Sequence, residues 1–407
     1  MNKAKYDGRE YPVRQVTDLK DIIVSSCSMF KDDTAFLEKD KPGGTFQPVS
    51  YGKVKADVDA LGTKLIDMGL KGSKIAVVGE TSYHWFLTYF ATVCGVGVIV
   101  PLDKNLPQDE LKSLIERSHA KAIVFSKKME KTIKPLFDEP GEIEYFISMS
   151  ESENEKILSL ERLIEEGNKL LSEGVRDFVD AEINPDEMAS LLFTSGTTGK
   201  SKGVMLSHKN IASNVVNVSK RVTLEKGCVV LSILPVHHTY ENTIDWVTIY
   251  QGRTIAVCEG IKYILKNMNE VQASCMVGVP LVFEKIFKGL MKQAEGRGEG
   301  EKVRNAIALS RRLKLYNNRS LIRKLFKPVH QAFGGRMQLF IAGGAAMDPE
   351  ITESFEAMGI PMIQGYGMTE YAPIIAVNQD NYSIARSVGR PMPEALVRID
   401  NADENGI

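Results

Sequence analysis

The five cysteines of this chain include no C-x-x-C pair. Cys27, Cys94, Cys228, Cys258 and Cys275 are odd in number and scattered. That argues against a zinc ribbon or dithiol redox site and fits buried thiols in a reducing compartment. An excess of one charge is also lacking. The formal net charge is -1, so nucleic acid is not an expected partner, and any pull on an anionic membrane must come from local charge. No apolar stretch precedes Asp21, so there is no secretory core. Long hydrophobic runs are scarce. The exception, residues 85–102, is eighteen residues without a charge, long enough to suggest a membrane span. Gly95, Gly97 and Pro101 interrupt it. It reads better as a buried helix over 82–94 followed by a short buried strand over 96–101. No internal repeat is found.

What is present is ordinary for a soluble globular protein, with 43% hydrophobic and 25% charged residues. The 407 residues suffice for two or three conventional domains or one composite. Helical and strand patterns alternate. Val54, Val58, Leu61 and Leu65 lie at helical spacing, with Gly69 as a stop. Residues 74–78 and 122–125 read as strands. Between them Pro107 opens a helix with Asp109 and Glu110 in its first turn and Leu111, Leu114 and Ile115 on its apolar face. Further strands are expected at 229–234, 254–258, 275–277, 337–341 and 361–364. Asp348 and Pro349 start a helix that Gly359 closes. Short apolar runs separated by helices predict an α/β fold with parallel sheets covered on both faces. The acidic stretch 151–173 predicts a solvated helix. Residues 302–347 contain no Asp or Glu but ten Lys or Arg, from Lys302 to Arg336. That is either a solvated helix face or a surface for anionic membrane.

The most informative segment is TSGTTGKSKG, Thr194 to Gly203, entered from the apolar Leu191-Leu192-Phe193. Glycines let backbone turn closely round an anion. Thr194, Ser195, Thr197 and Thr198 add hydroxyls, Gly196 and Gly199 add freedom, and Lys200 and Lys202 add charge. With a strand before and a helix capped by Ser207 after, this reads as a triphosphate loop. A Walker A loop would need glycine where Thr194 stands, so that reading fails.

The segment resembles the signature loop of the adenylate-forming superfamily, which includes acyl-CoA synthetases, luciferases and nonribosomal adenylation domains. Its pattern usually has proline at the place of Ser201, and Lys202 falls on its lysine. Leu234-Pro235-Val236-His237-His238-Thr239-Tyr240-Glu241 is similar to the family's L-P-x-x-H segment, with His238 in register. Ala342-Gly343-Gly344-Ala345-Ala346 resembles its adenine-side strand end, and Gln364-Gly365-Tyr366-Gly367-Met368-Thr369-Glu370 resembles its most specific later motif. Residues 387–391 resemble a weaker one. Residues 279–286 and the basic segment look most like long-chain members.

The resemblance implies a large N-terminal domain over 1–407 with two parallel-sheet α/β subdomains and a smaller β-rich one. It implies Tyr366 against adenine, Thr369 near the α-phosphate, and Glu370 with Thr194 on Mg²⁺. The implied reaction activates a fatty acid with ATP to acyl-adenylate and transfers the acyl group to CoA. Lys202, His238, Thr369 and Glu370 are its catalytic candidates, in a cytoplasmic protein whose segment 302–336 could touch membrane. A ribose-binding aspartate, a hinge and a small C-terminal domain with an adenylation lysine would follow residue 407, so low activity is expected of these residues alone. Loading of a carrier protein, and nucleotide and acyl binding without turnover, stay open.

Overall fold

A computed structural model of the chain describes residues 10–194 and 201–400. Two sheets organise it. The strands β1 (Thr34–Lys39) and β2 (Phe46–Ser50) form an antiparallel pair that the second sheet later takes up. The first sheet follows, from β3 (Ser73–Val78), β4 (Gly97–Leu102), β5 (Ala120–Phe125), β6 (Tyr145–Ser148), β7 (Ile157–Ser159), β8 (Met188–Thr194) and β9 (Lys202–Ser207). Its order is β7-β6-β5-β3-β4-β8-β9. Every pair is parallel except the β8–β9 hairpin.

The second sheet comes from β10 (Val229–Ser232), β11 (Thr254–Val257), β12 (Cys275–Gly278), β13 (Leu339–Ala342), β14 (Met362–Gly367), β15 (Ile374–Val377) and β16 (Arg390–Pro391). With β1 and β2 it has nine strands, ordered β16-β15-β14-β13-β12-β10-β11-β1-β2. Its centre is parallel, and the antiparallel strands β15 and β16 finish one edge. Central strands such as β11, β12 and β13 are buried along their whole length, as strands covered on both faces must be.

The uncharged run 85–102 divides as expected. A helix spans Tyr83–Ala91, capped by Ser82, whose hydroxyl accepts from the Trp85 amide. One π-turn with Gly95 at φ 155° then leads into β4. The helix joins the two sheets: Phe86 lies 5.1 Å from Phe36 of β1, and Phe90 lies 4.9 Å from Trp246, ring centre to ring centre. Each buried aromatic side chain removes a large apolar area from water, so this cluster dominates the central core.

Three details depart from the sequence reading. The acidic stretch does form a helix, Leu160–Ser172, but one face is buried through Leu160, Leu163 and Ile164. Gly167 allows close approach there, since a Cβ on it would lie 1.9 Å from the Ala60 carbonyl oxygen. The strand β9 precedes the helix His208–Ser219 and pairs antiparallel with β8, with Thr194 opposite Lys202. The basic segment is spread over the helices Gly300–Leu313, Arg319–Leu325 and Lys327–Ala332. Carboxylates from neighbouring elements meet it: Arg304 pairs with Glu295 at 2.7 Å, and Arg311 reaches Glu350 and Glu353. Arg323 donates to the Met337 carbonyl. These contacts do not support a membrane-facing surface. Among the described residues no helix is long and apolar enough to cross a membrane.

Candidate active site

Four parallel strands of the nine-stranded sheet end together. The segments after β10, β12, β13 and β14 enclose a cavity of about 300 Å³. Open α/β sheets bind ligands at the carboxyl ends of their strands.

After β10, the His238 amide donates to the Pro235 carbonyl at 3.0 Å, making a tight turn. His238 is then the N-cap residue of the helix Thr239–Tyr250 and lines the cavity. His237 lies against it, 4.3 Å between ring centres, and points its Nε2 to within 3.7 Å of the Asp103 carboxylate. Burial lowers the pKa of both imidazoles, and for His237 the neighbouring His238 lowers it further. At neutral pH both rings are therefore neutral. A neutral His238 can orient a carboxylate by one hydrogen bond but adds no charge.

After β13 come Gly343 and Gly344, both on the cavity wall. Gly343 has to be small, because a Cβ would lie 2.7 Å from Cζ of Tyr240. Gly344 has φ 80°, which favours glycine. Ala345 is exposed and is not part of the wall. The last residues of β14, Gly365, Tyr366 and Gly367, and Thr369 just beyond it complete the wall, with Tyr366 54% exposed and able to present a ring face. Glu370 is exposed, within the turn Thr369–Tyr371. Among the described residues it has no ion-pair partner, so its carboxylate is available to a cation.

Thr194 and Lys202 face each other across β8 and β9 but do not line the cavity. β9 nevertheless packs beside the turn Thr369–Tyr371, which brings the hairpin to the cavity's edge. Ser195, Gly196, Thr197, Thr198 and Gly199 lie outside the described residues. Ser201, where proline is usual in the resembled family, has its carbonyl held by Arg117 at 2.7 Å.

Sequence reasoning quoted Thr239, Tyr240 and Glu241 beside the histidine but gave them no role, and all three lie on the cavity wall. Tyr240 donates to the Ile341 carbonyl at 3.3 Å. Glu241 is 1% exposed, and the available signal was a carboxylate pair four residues apart, Glu241 and Asp245, in an otherwise uncharged stretch.

The model of the AMP-binding enzyme family matches residues 24–407. The chain belongs to that family. This AMP-binding enzyme is 26% identical to long chain acyl-CoA synthetase 6, peroxisomal, of Arabidopsis thaliana, over 89% of its own length and 53% of the relative's. It is 23% identical to the long-chain-fatty-acid–[acyl-carrier-protein] ligase AEE15, chloroplastic, of the same plant, over 95% and 60%. The AMP-binding enzyme thus spans 53% and 60% of the lengths of these two curated relatives. Among solved structures, the N-terminal domain of FACL13 from Mycobacterium tuberculosis superposes with a TM-score of 0.70 at 17% identity, covering 93% of this chain and 83% of that one. A long-chain-fatty-acid-CoA ligase (FadD1) from Archaeoglobus fulgidus does so with 0.70 at 17%, covering 94% and 70%. The fold is that of adenylate-forming N-terminal domains.

Proposed function

We propose that residues 1–407 form the nucleotide- and acid-binding part of an AMP-forming ligase, one that activates a fatty acid as its acyl-adenylate and passes the acyl group to CoA. The observation that carries this reading is the cavity at the strand ends, where His238, the Gly343–Gly344 pair, Tyr366 and Thr369 converge. A small-residue wall beside an aromatic face suits a purine. Thr369 offers a hydroxyl to a phosphate, and His238 orients the acid, whose carboxylate needs no base to act as a nucleophile. Thr194, Ser195, Gly196, Thr197, Thr198, Gly199 and Lys202 would hold the β- and γ-phosphates.

The residues fit magnesium through an exposed, unpaired carboxylate. Glu370 would supply one hard oxygen, with Thr194 as a second candidate. No cluster of three or more His, Cys, Asp or Glu able to hold a metal occurs among the described residues. Mg²⁺ would therefore arrive with the nucleotide and keep phosphate and water ligands. When bound it supplies neutralisation of phosphoryl charge.

Acid-dependent exchange of pyrophosphate into ATP, run with a panel of fatty acids, tests the proposal. Exchange supports it. Release of phosphate with no exchange would overturn it. The relative named as an acyl-carrier-protein ligase keeps a carrier-protein acceptor as a second reading. Offering CoA and a phosphopantetheinylated carrier to the adenylate separates the two.

A further inference from the structure

The helix Thr239–Tyr250 carries two carboxyl groups one turn apart, both out of water: Glu241 is 1% and Asp245 is 2% exposed. Burying a carboxyl group is costly unless its oxygens are satisfied. Among the described residues Asp245 has no hydrogen-bond partner on either oxygen, and Glu241 has none of good geometry on Oε2, although the Ser232 hydroxyl and the Leu234 amide lie close enough to favour its charged form. Glu241 Oε1, however, accepts from the backbone amide of Ile233 at 3.0 Å. Ile233 is the first residue beyond β10, and the next five residues form the turn that ends in His238. The contact therefore ties the helix to the start of the very turn that presents the histidine to the cavity. Glu241 itself reaches the cavity wall.

We propose that Glu241 is a positioning residue, whose carboxyl oxygen clamps the Ile233 amide and so fixes where the turn 234–238 places His238. No charge is required for this task. A protonated carboxyl can still accept through its carbonyl oxygen, in a weaker bond than an ionised one makes. Burial out of water favours the neutral state. The kinetic consequence of the clamp rests on the adenylation reading; the clamp itself does not.

Amide hydrogen exchange over residues 230–238 and acid-dependent pyrophosphate exchange are measured in wild type, Glu241→Gln and Glu241→Met. Gln keeps the acceptor and discards the charge. Met fills the volume and offers no acceptor. In Glu241→Met the Ile233 amide should exchange at least roughly tenfold faster, as a buried donor left unpaired requires. Its KM for the acid should rise by about the same factor while KM for ATP stays within about twofold. Glu241→Gln should match wild type in both. If Gln loosens the segment as Met does, or if Met leaves the exchange of Ile233 unchanged, the clamp is refuted. Should Met fail to fold, the Gln result decides alone. If amide exchange responds as stated while no acid supports pyrophosphate exchange, the clamp stands and the adenylation reading falls.

Discussion

The hydroxyl of Thr239 lies 3.4 Å from the hydroxyl of Thr369. One begins the helix after His238 and the other begins the turn after β14. The contact closes the cavity wall between two segments that are 130 residues apart. The Thr369 hydroxyl thus accepts from Thr239 on the cavity wall. Thr369→Ala should reduce pyrophosphate exchange by roughly a hundredfold to a thousandfold, the usual loss of one oriented donor to a transition state. Thr369→Ser should recover most of it. An Ala variant with wild-type exchange would take Thr369 out of the chemistry.

Glu370 invites a separate test, since it is exposed and has no ion-pair partner among the described residues. Glu370→Gln keeps its size and removes one hard anionic ligand. The magnesium concentration giving half-maximal exchange should rise at least roughly tenfold, a scale set by losing a ligand's charge. An unchanged magnesium titration would show that the metal is held elsewhere.

Asp245 makes a prediction about pH. Burial, with the nearby Glu241 charge adding to it, holds its pKa well above the ordinary 3.8. Between those two values the unfolded chain has lost the proton and the folded chain has kept it. Asp245 therefore contributes fully at pH values below 3.8, and its contribution falls as pH rises toward the folded value. Asp245→Asn removes this penalty. Its stability relative to wild type, from urea melts, should increase as pH rises above about 4, by about 1.4 kcal/mol for each unit of pKa displacement. A pH-independent difference would mean that Asp245 titrates normally.

Gly343 and Tyr240 predict a steric effect. Gly343→Ala puts a Cβ 2.7 Å from Cζ of Tyr240, so the ring has to move. The cost should be about 1–3 kcal/mol of stability, as for other overpacked sites, together with weaker ATP binding by calorimetry. Adding Tyr240→Leu should restore stability in part. Additive losses in the double variant would place the strain elsewhere.

The cysteines should be inert. Burial pushes the thiol of Cys27 up to about 12 and those of Cys228 and Cys258 up to about 11. Few thiolates then exist at neutral pH. Iodoacetamide should label the native protein slowly, half-buried Cys258 first. Rapid labelling with loss of exchange activity would point to a thiol mechanism.

The parallel strands were legible because their burial on both faces forces continuous apolar runs, as at Ile75–Val78 and Cys275–Val277, between glycines and prolines. β9 was not. It is an edge strand whose residues Lys202 and Gly203 are exposed, so neither an apolar run nor a clear alternation marks it. The motif glycines announced the cavity wall at Gly343, Gly344, Gly365 and Gly367, whereas Ala345 is exposed and does not line it. The burial of Glu241 escaped notice for a different reason. A carboxylate in the first turn of a helix ordinarily favours the helix dipole and stays wet. Only the packing of that helix against β10 reveals that this one is buried.

The packing of β9 beside the turn Thr369–Tyr371 joins two slabs that are hydrogen-bonded separately. A molecule gripped by Lys202 and by Thr369 at once acts as a clasp between them and resists their shear. Occupancy then becomes a mechanical property of the whole chain. By mass action, a ligand at a hundredfold excess over its Kd adds about 2.7 kcal/mol to the folded state.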